Sequence, residues 1–397
     1  MSERKVLDCC FILNMDLDLP VSDVHLVQDV INSFSGNIVV IKKGHKENLM
    51  IDKNGYINLK SKKISKSNLL GRYINDYKYY KRVQKVVKLN NIQAKSYFIQ
   101  SSPLAVFIAT YLRKHTDGRI IYNSQDLFPD NLIRNNGLKK ILFSPFTYLT
   151  KKLFRKVDHI ITISKNIKDQ IISKGIPSSK ISVIYNWAKR GNQSNPIINY
   201  KNKHLLESKY VVLYAGNIGK FQNVRMILDA AKQIKEKEIV FVIQGDGVKR
   251  AELIDYAKSL SLENVLFVPQ APLDTMMDTY RTVDLNLITL DANIYKTALP
   301  SKLAFCLNTD VPLIITIEEY SDIRELLKKD ELTSFVNPND IEFFTSKILE
   351  FYRNRDKKYY NDRESIINHY FNDMLNPQIY HDIIVNGYHQ GDHINAK

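Results

Sequence analysis

Apolar positions along this chain fall into short β-branched runs, separated by stretches in which apolar residues recur at three- and four-residue spacing. That pattern predicts strands alternating with helices. Val6 to Leu13 opens as a buried strand, followed by a polar loop from Asn14 to Pro20 and a helix from about Val21 to Phe34. A strand at Asn37 to Ile41 leads into a polar, hairpin-like region and then a long helical pattern from Leu69 to Leu89. Further strands are expected at Ser96 to Gln100, Arg119 to Tyr122, His159 to Ile163 and Ile181 to Tyr185. The polar stretch Lys189 to Lys209 breaks the alternation and reads as a linker.

Beyond it a strand opens at Tyr210 and feeds a helix on which Val224, Ile227, Leu228 and Ala231 share a face. Strands at Ile239 to Ile243, Val265 to Val268, Asp284 to Ile288 and Leu313 to Thr316 follow. Helices are expected up to about Leu260, near Leu273 to Tyr280, and from the turn Ala298 to Lys302 as far as Asn308. Sustained alternation argues for parallel α/β sheets, not separate α and β blocks. The expected architecture is therefore α/β with two doubly wound domains, residues 1–190 and 210–372, joined by residues 191–209.

In such sheets all strand-to-helix turns lie on one edge. The turns Gly216 to Lys220, Gly245 to Gly247 and Pro300 to Lys302 are therefore expected to converge. Turn amides and helix amino termini suit an anion, and Lys220 and Lys302 add cations, which together point to a diphosphate pocket. Ser301 is also a good helix cap.

The length of 397 residues suits two domains. No stretch is apolar enough to span a bilayer, and the amino terminus lacks the pattern of a secretion signal, so a cytoplasmic location is expected. Cys9, Cys10 and Cys306 have no metal-like spacing and read as buried thiols. Charge changes the picture more. Residues 1–190 carry 33 Lys and Arg against 14 Asp and Glu, while the remainder carries 24 against 28. The first half is therefore expected to meet an anionic partner: a membrane surface, a lipid phosphate or nucleic acid. Nucleic acid is disfavoured, because no zinc finger, RNA-recognition signature or compact helix-turn-helix is present.

From Gly137 to Val157, Ile141, Leu142, Phe143, Phe146, Leu149, Leu153 and Phe154 interleave with Lys139, Lys140, Lys151, Lys152, Arg155 and Lys156. That mixture suits an interfacial helix on anionic lipid, or a core helix with a solvated face. Asp16 and Asp18 look superficially like a metal-binding pair, but two acids in a polar loop are usually just solvated. Asp16 nevertheless follows the first strand and faces the crevice of a doubly wound sheet. Asp126 and Asp130 follow a later strand, where a carboxylate orients a substrate hydroxyl or makes an Asx turn and a helix cap.

The motifs Ser101-Ser102-Pro103, Gln125-Asp126-Leu127-Phe128-Pro129-Asp130 and Ile184-Tyr185-Asn186-Trp187 are followed by Tyr214-Ala215-Gly216-Asn217-Ile218-Gly219, Gly245-Asp246-Gly247 and Leu299-Pro300-Ser301-Lys302. In this order they resemble the retaining GT-B glycosyltransferases of family 4, in particular the bacterial surface-polysaccharide branch that includes fucosamine transferases. The resemblance implies two Rossmann-like domains facing across a cleft and no divalent metal or other cofactor. A UDP-sugar would bind the second domain at Gly216, Asn217, Gly219, Lys220, Gly245, Asp246, Gly247, Pro300, Ser301 and Lys302. A lipid-linked or polymeric glycan acceptor would bind the first at Asp16, Ser101, Ser102, Asp126 and Asp130. Asp126 and Lys302 would carry the chemistry. Residues 373–397 would pack back on the first domain, and the Lys139 to Lys156 region would meet the inner face of the membrane.

The chain departs from the family pattern in three places. The usual cations after the first glycine fall at Asn217 and Gln222, the paired acids at Thr297 and Phe305, and Asn14 to Asp23 lacks paired glycines. A non-catalytic partner protein that binds glycosylated protein, or a UDP-sugar epimerase, therefore stands beside a transferase. The sequence does not fix the oligomeric state.

Overall fold

A computed structural model describes residues 6–19, 22–61, 69–102, 104–133, 137–189, 199–272 and 275–387. Val21, Pro103, Leu273, most of the expected linker and residues 388–397 lie outside the described residues. The chain forms two compact units. The first comprises residues 1–185, 297–299 and 374–397, and the second residues 186–296 and 300–373.

The first unit holds strands β1 (Leu7–Asp16), β2 (Ile38–Gly44), β3 (Tyr56–Lys60), β4 (Ala94–Gln100), β5 (Arg119–Ser124), β6 (His159–Thr162) and β7 (Ile181–Val183). They form one parallel sheet in the order β3-β2-β1-β4-β5-β6-β7. The second unit holds β8 (Tyr210–Ala215), β9 (Ile239–Gln244), β10 (Val265–Val268), β11 (Leu285–Ile288), β12 (Leu313–Thr316) and β13 (Thr333–Val336), again parallel, in the order β10-β9-β8-β11-β12-β13. Each order reverses beside the unit's first strand, the topology of a doubly wound nucleotide-binding sheet, and ligands of such sheets bind beyond the strand carboxyl ends at that switch.

The central strands are mostly apolar because helices cover both faces of each sheet. All six residues of β8 are buried. The helix Leu69–Leu89 applies Tyr79, Tyr80, Val83, Val86 and Val87 to the first core, the spacing of an amphipathic face. The helix Arg225–Gln233 buries Ile227, Leu228 and Ala231, with Val224 just before it also buried. Each aliphatic side chain so buried contributes about 1.5–3 kcal/mol.

The hairpin-like region is not a hairpin. β3 pairs parallel to β2, with Val40 opposite Tyr56 and Gly44 opposite Lys60, and only an isolated antiparallel bridge, Asn48 to Asn58, runs the other way. The turn into β3 is set by Asp52, whose Oδ1 accepts from the amides of Asn54 and Tyr56. Within the expected linker, Tyr200–Lys203 is a helical turn capped by the Asn199 side chain. It is held on the second unit by Thr282 and Asp284.

The helix Leu375–Asn386 belongs to the first unit, beside β4. Ser96 Oγ donates to the Ile384 carbonyl at 2.6 Å, Arg119 donates to Ile383 at 3.1 Å, and Asn376 donates to Tyr185 at 2.9 Å. Buried Tyr380 donates to Asn123 Oδ1 at 3.1 Å. These bonds satisfy groups that the sheet would otherwise bury unpaired.

Candidate functional site

In the second unit the turns after β8 and β9 pack directly on each other. Gly216 N donates to Gln244 O at 2.9 Å, and Ile218 N donates to Asp246 O at 2.8 Å. The contact is tight enough to exclude any side chain. A Cβ on Gly245 would lie 1.9 Å from the Gly216 carbonyl oxygen, and one on Gly247 would lie 2.3 Å from that of Ile218. Both glycines also have positive φ, 142° and 159°, values that side-chain-bearing residues rarely adopt. The amides of Asn217 and Gly219 have no acceptor among the described residues, which leaves two donors on the surface of the turn.

Lys302 reaches this turn from the start of the helix Lys302–Leu307. Its Nζ stands 3.5 Å from the centre of the Tyr214 ring and would be 3.4 Å from a Cβ on Gly216. The ammonium is buried and has no hydrogen-bond partner among the described residues. Burial pulls its pKa from 10.5 down to about 7, and the nearby Cys306 thiol opposes this only weakly. A buried cation resting on an aromatic face beside open amides lacks a counter-charge. Such an arrangement suits an anion.

Lys220, the other cation of this turn, is exposed, as is Asp246. Asn217 and Gln222 flank Gly219, each with a side-chain atom 2.6 Å from where its Cβ would be. Ser301 does not cap its helix: it is already in helical geometry and its side chain makes no capping bond. Pro300 accepts the first backbone bond of that turn from Leu303.

In the first unit the end of β1 and the loops after β4 and β5 share a polar network. Ser101 Oγ donates to Asp126 Oδ1 at 3.1 Å, and Asn131 donates to Asp126 Oδ2 at 3.4 Å. Asn14 Nδ2 donates to Ser102 Oγ at 3.2 Å, and the Ser102 amide donates to the Tyr122 hydroxyl at 3.3 Å. Asn14 Oδ1 remains buried and unpaired. Sequence reasoning missed Asn14; its place just past the apolar run of β1 was the available signal.

Two expected residues stand apart from this network. Asp16 ends β1 opposite Lys43, with its carboxylate 3.7 Å from His45 and bonded to the Asp18 amide. Asp18 pairs with Lys42. Asp130 starts the short helix Asp130–Ile133 and pairs with Lys174 at 2.5 Å. Among the described residues no group of three His, Cys, Asp or Glu is placed to hold a metal ion.

The stretch expected to be one interfacial helix is two, Gly137–Leu142 and Ser144–Lys156. Leu153 and Phe154 are in the core, and Phe143 and Phe146 pack on Phe128. Leu138, Ile141, Leu142 and Tyr148 are left 66–78% exposed, with Lys139 and Lys140 among them. No helix among the described residues is long and apolar enough to cross a membrane.

Residues 197–369 match the family model of glycosyl transferases group 1, and residues 52–188 match that of glycosyltransferase family 4. Among curated proteins the chain is 26% identical over 200 residues to WcaI of Escherichia coli (strain K12), assigned to colanic acid biosynthesis as a glycosyl transferase. That match covers 49% of either chain. It is 25% identical over 227 residues to the glycosyltransferase WbjE of Pseudomonas aeruginosa, covering 54% of this chain and 55% of that one. The chain thus spans about half the length of the curated relatives it matches. The crystal structure of HepE from Anabaena in complex with UDP superposes with a TM-score of 0.71 at 12% identity, over 96% of this chain and 100% of that one. At that identity the likeness speaks for the fold.

Proposed function

We propose, for a chain that belongs to the GT-B glycosyltransferases of group 1 and family 4, that it transfers a hexosyl or N-acetylhexosaminyl group from a UDP-sugar. The acceptor is a lipid-linked or cell-surface polymeric glycan, and configuration at the anomeric carbon is retained. The polysaccharide setting of the curated relatives and the UDP bound by HepE support this reading. One observation carries it: the buried, unpaired ammonium of Lys302 beside the Gly216 turn. As the bond from sugar to diphosphate breaks, negative charge grows on the β-phosphate. A preorganised cation and turn amides stabilise that charge more in the transition state than in the ground state. Lys302 takes the part that a divalent metal plays elsewhere. Asp126, already accepting from Ser101 and Asn131, orients the acceptor hydroxyl.

The test is thermal stabilisation by nucleotides, since a ligand that binds only the folded state at 100 times its Kd adds about 2.7 kcal/mol. UDP and UDP-sugars are expected to raise the melting temperature, and GDP and ADP to do so far less. A shift from GDP or ADP as large as that from UDP would overturn the donor assignment.

The exposed Leu138, Ile141, Leu142 and Tyr148, set among lysines, support peripheral binding of the first unit to an anionic membrane face in a cytoplasmic enzyme. Each basic residue near such a surface contributes about 1 kcal/mol. Cosedimentation with phosphatidylglycerol vesicles is expected at low salt, and the double variant Ile141→Asp/Leu142→Asp should lose most of it. Absence of the wild-type protein from the vesicle pellet would contradict this attachment.

A further inference from the structure

A second basic opening lies in the first unit, away from the Asp126 network. It has a volume of about 510 Å³ and is walled by the end of β3, at Lys60 and Ser61, and by the helix Leu69–Leu89. That helix supplies Ile74, Asn75, Lys78 and Arg82 from one face, at the three- and four-residue spacing that aligns side chains. The wall is fixed: Tyr79 donates to the Leu13 carbonyl at 2.7 Å, tying the helix to β1, and Asn75 donates to Ser61 Oγ at 3.2 Å.

The charges lining the opening are unequal. Among the described residues Glu47 is the one carboxylate in the lining, and it is already bound by Arg82, whose other amino group donates to the Lys60 carbonyl. Nearby Lys43 is likewise matched by Asp76. Lys60 and Lys78 line the space with no carboxylate in reach among the described residues. Two ammonium groups, an amide and a hydroxyl on one side, with Ile74 as an apolar wall, suit a polyoxygenated anion attached to a less polar body.

Because all strands are parallel, Lys60 at the end of β3 and Asp126 after β5 lie at the same sheet edge, four strand positions apart in the order. At about 4.8 Å per strand this is roughly 19 Å, a span for an extended acceptor and not a single sugar. We propose that this opening binds a phosphate group carried by the acceptor, and so anchors the acceptor away from its reacting hydroxyl. The inference rests on the transferase reading above and specifies its acceptor as a phosphorylated one. The phosphate belongs either to a lipid diphosphate or to the glycan itself.

Calorimetric titration of the full chain, with UDP present to occupy the Lys302 site, tests this with inorganic pyrophosphate and with geranyl diphosphate. The wild type is expected to bind pyrophosphate, and Lys60→Gln/Lys78→Gln to bind it at least tenfold more weakly, the effect of losing charge-assisted contacts. Geranyl diphosphate binding more tightly than pyrophosphate would assign the phosphate to a lipid, and equal affinity would assign it to the glycan. The inference is overturned if the wild type binds neither probe, or if the variant binds pyrophosphate as the wild type does. A charge reversal, Lys78→Glu, gives the same reading in a single variant. UDP affinity is measured first in each protein. Its absence defeats the donor assignment, whereas the comparison between wild type and variant judges the opening independently.

Discussion

Lys302→Ala is expected to lower turnover about a hundredfold, the effect of removing one preorganised group that stabilises developing charge. Among the described residues the ammonium is buried without a hydrogen-bond partner and is held over the Tyr214 ring at the Gly216 turn. Lys220 is exposed, and Asn217 and Gln222 are neutral. The remaining cation of that turn, Lys220, is screened by solvent and substitutes poorly for a buried charge. Folding should be unharmed, because burying an unpaired ammonium costs free energy that alanine does not incur. Steady-state rates with saturating donor check this, and turnover within a few fold of wild type would remove Lys302 from the chemistry.

Arg363→Ala is expected to destabilise the second unit by about 3–5 kcal/mol, the range for breaking a buried ion pair from one side. Arg363 is 1% exposed, and its Nε donates to Asp330 Oδ2 at 2.9 Å. Its Nη1 donates to the carbonyls of Thr309 and Val311, each at 2.7 Å, and its Nη2 to Leu332 and Thr333. The guanidinium thus joins the segment following the Lys302 helix to the start of β13. Truncation leaves the Asp330 carboxylate and several carbonyls buried without their donor. Replacing both partners, as in Arg363→Met/Asp330→Leu, should cost less, since it removes the orphaned carboxylate and leaves only the carbonyls without their donor. Urea unfolding of the three proteins checks the ordering, and a loss under 1 kcal/mol for Arg363→Ala would contradict it.

Much of the architecture was legible because parallel strands buried on both faces leave unbroken apolar runs such as Tyr210 to Ala215. The convergence of the glycine turns followed from parallel topology, and the close packing of Gly245 on Gly216 is its physical form. β3 was hidden because Tyr56 to Lys60 is short, alternates with polar residues and sits at the sheet edge, where one side has no partner strand. Arg363 was hidden for another reason: an arginine in a polar helix has the same local sequence whether it meets water or a ring of carbonyls. Asp130 and Ser301 show the same limit. Their residue types suited substrate binding and capping; the structure adds a Lys174 ion pair to the first, and helical geometry at residue 301 leaves the second without a capping bond.

The central claim is that Lys302 supplies the charge that holds the diphosphate. Burial lowers its pKa from 10.5 to about 7, so in the free protein the lysine is charged below neutrality and progressively neutral above it. A bound diphosphate favours the charged form, so binding above neutrality must take up a proton. Above pH 7 the terminal phosphate of UDP is already ionised, which leaves the lysine as the titrating group. The measurement is the Kd for UDP between pH 7.5 and 9 in the wild type and in Lys302→Met. The account predicts a wild-type Kd that rises up to about tenfold per pH unit, and a variant that binds weakly with no such slope. A wild-type Kd flat across this range, or a variant that binds UDP as tightly as the wild type, would contradict it.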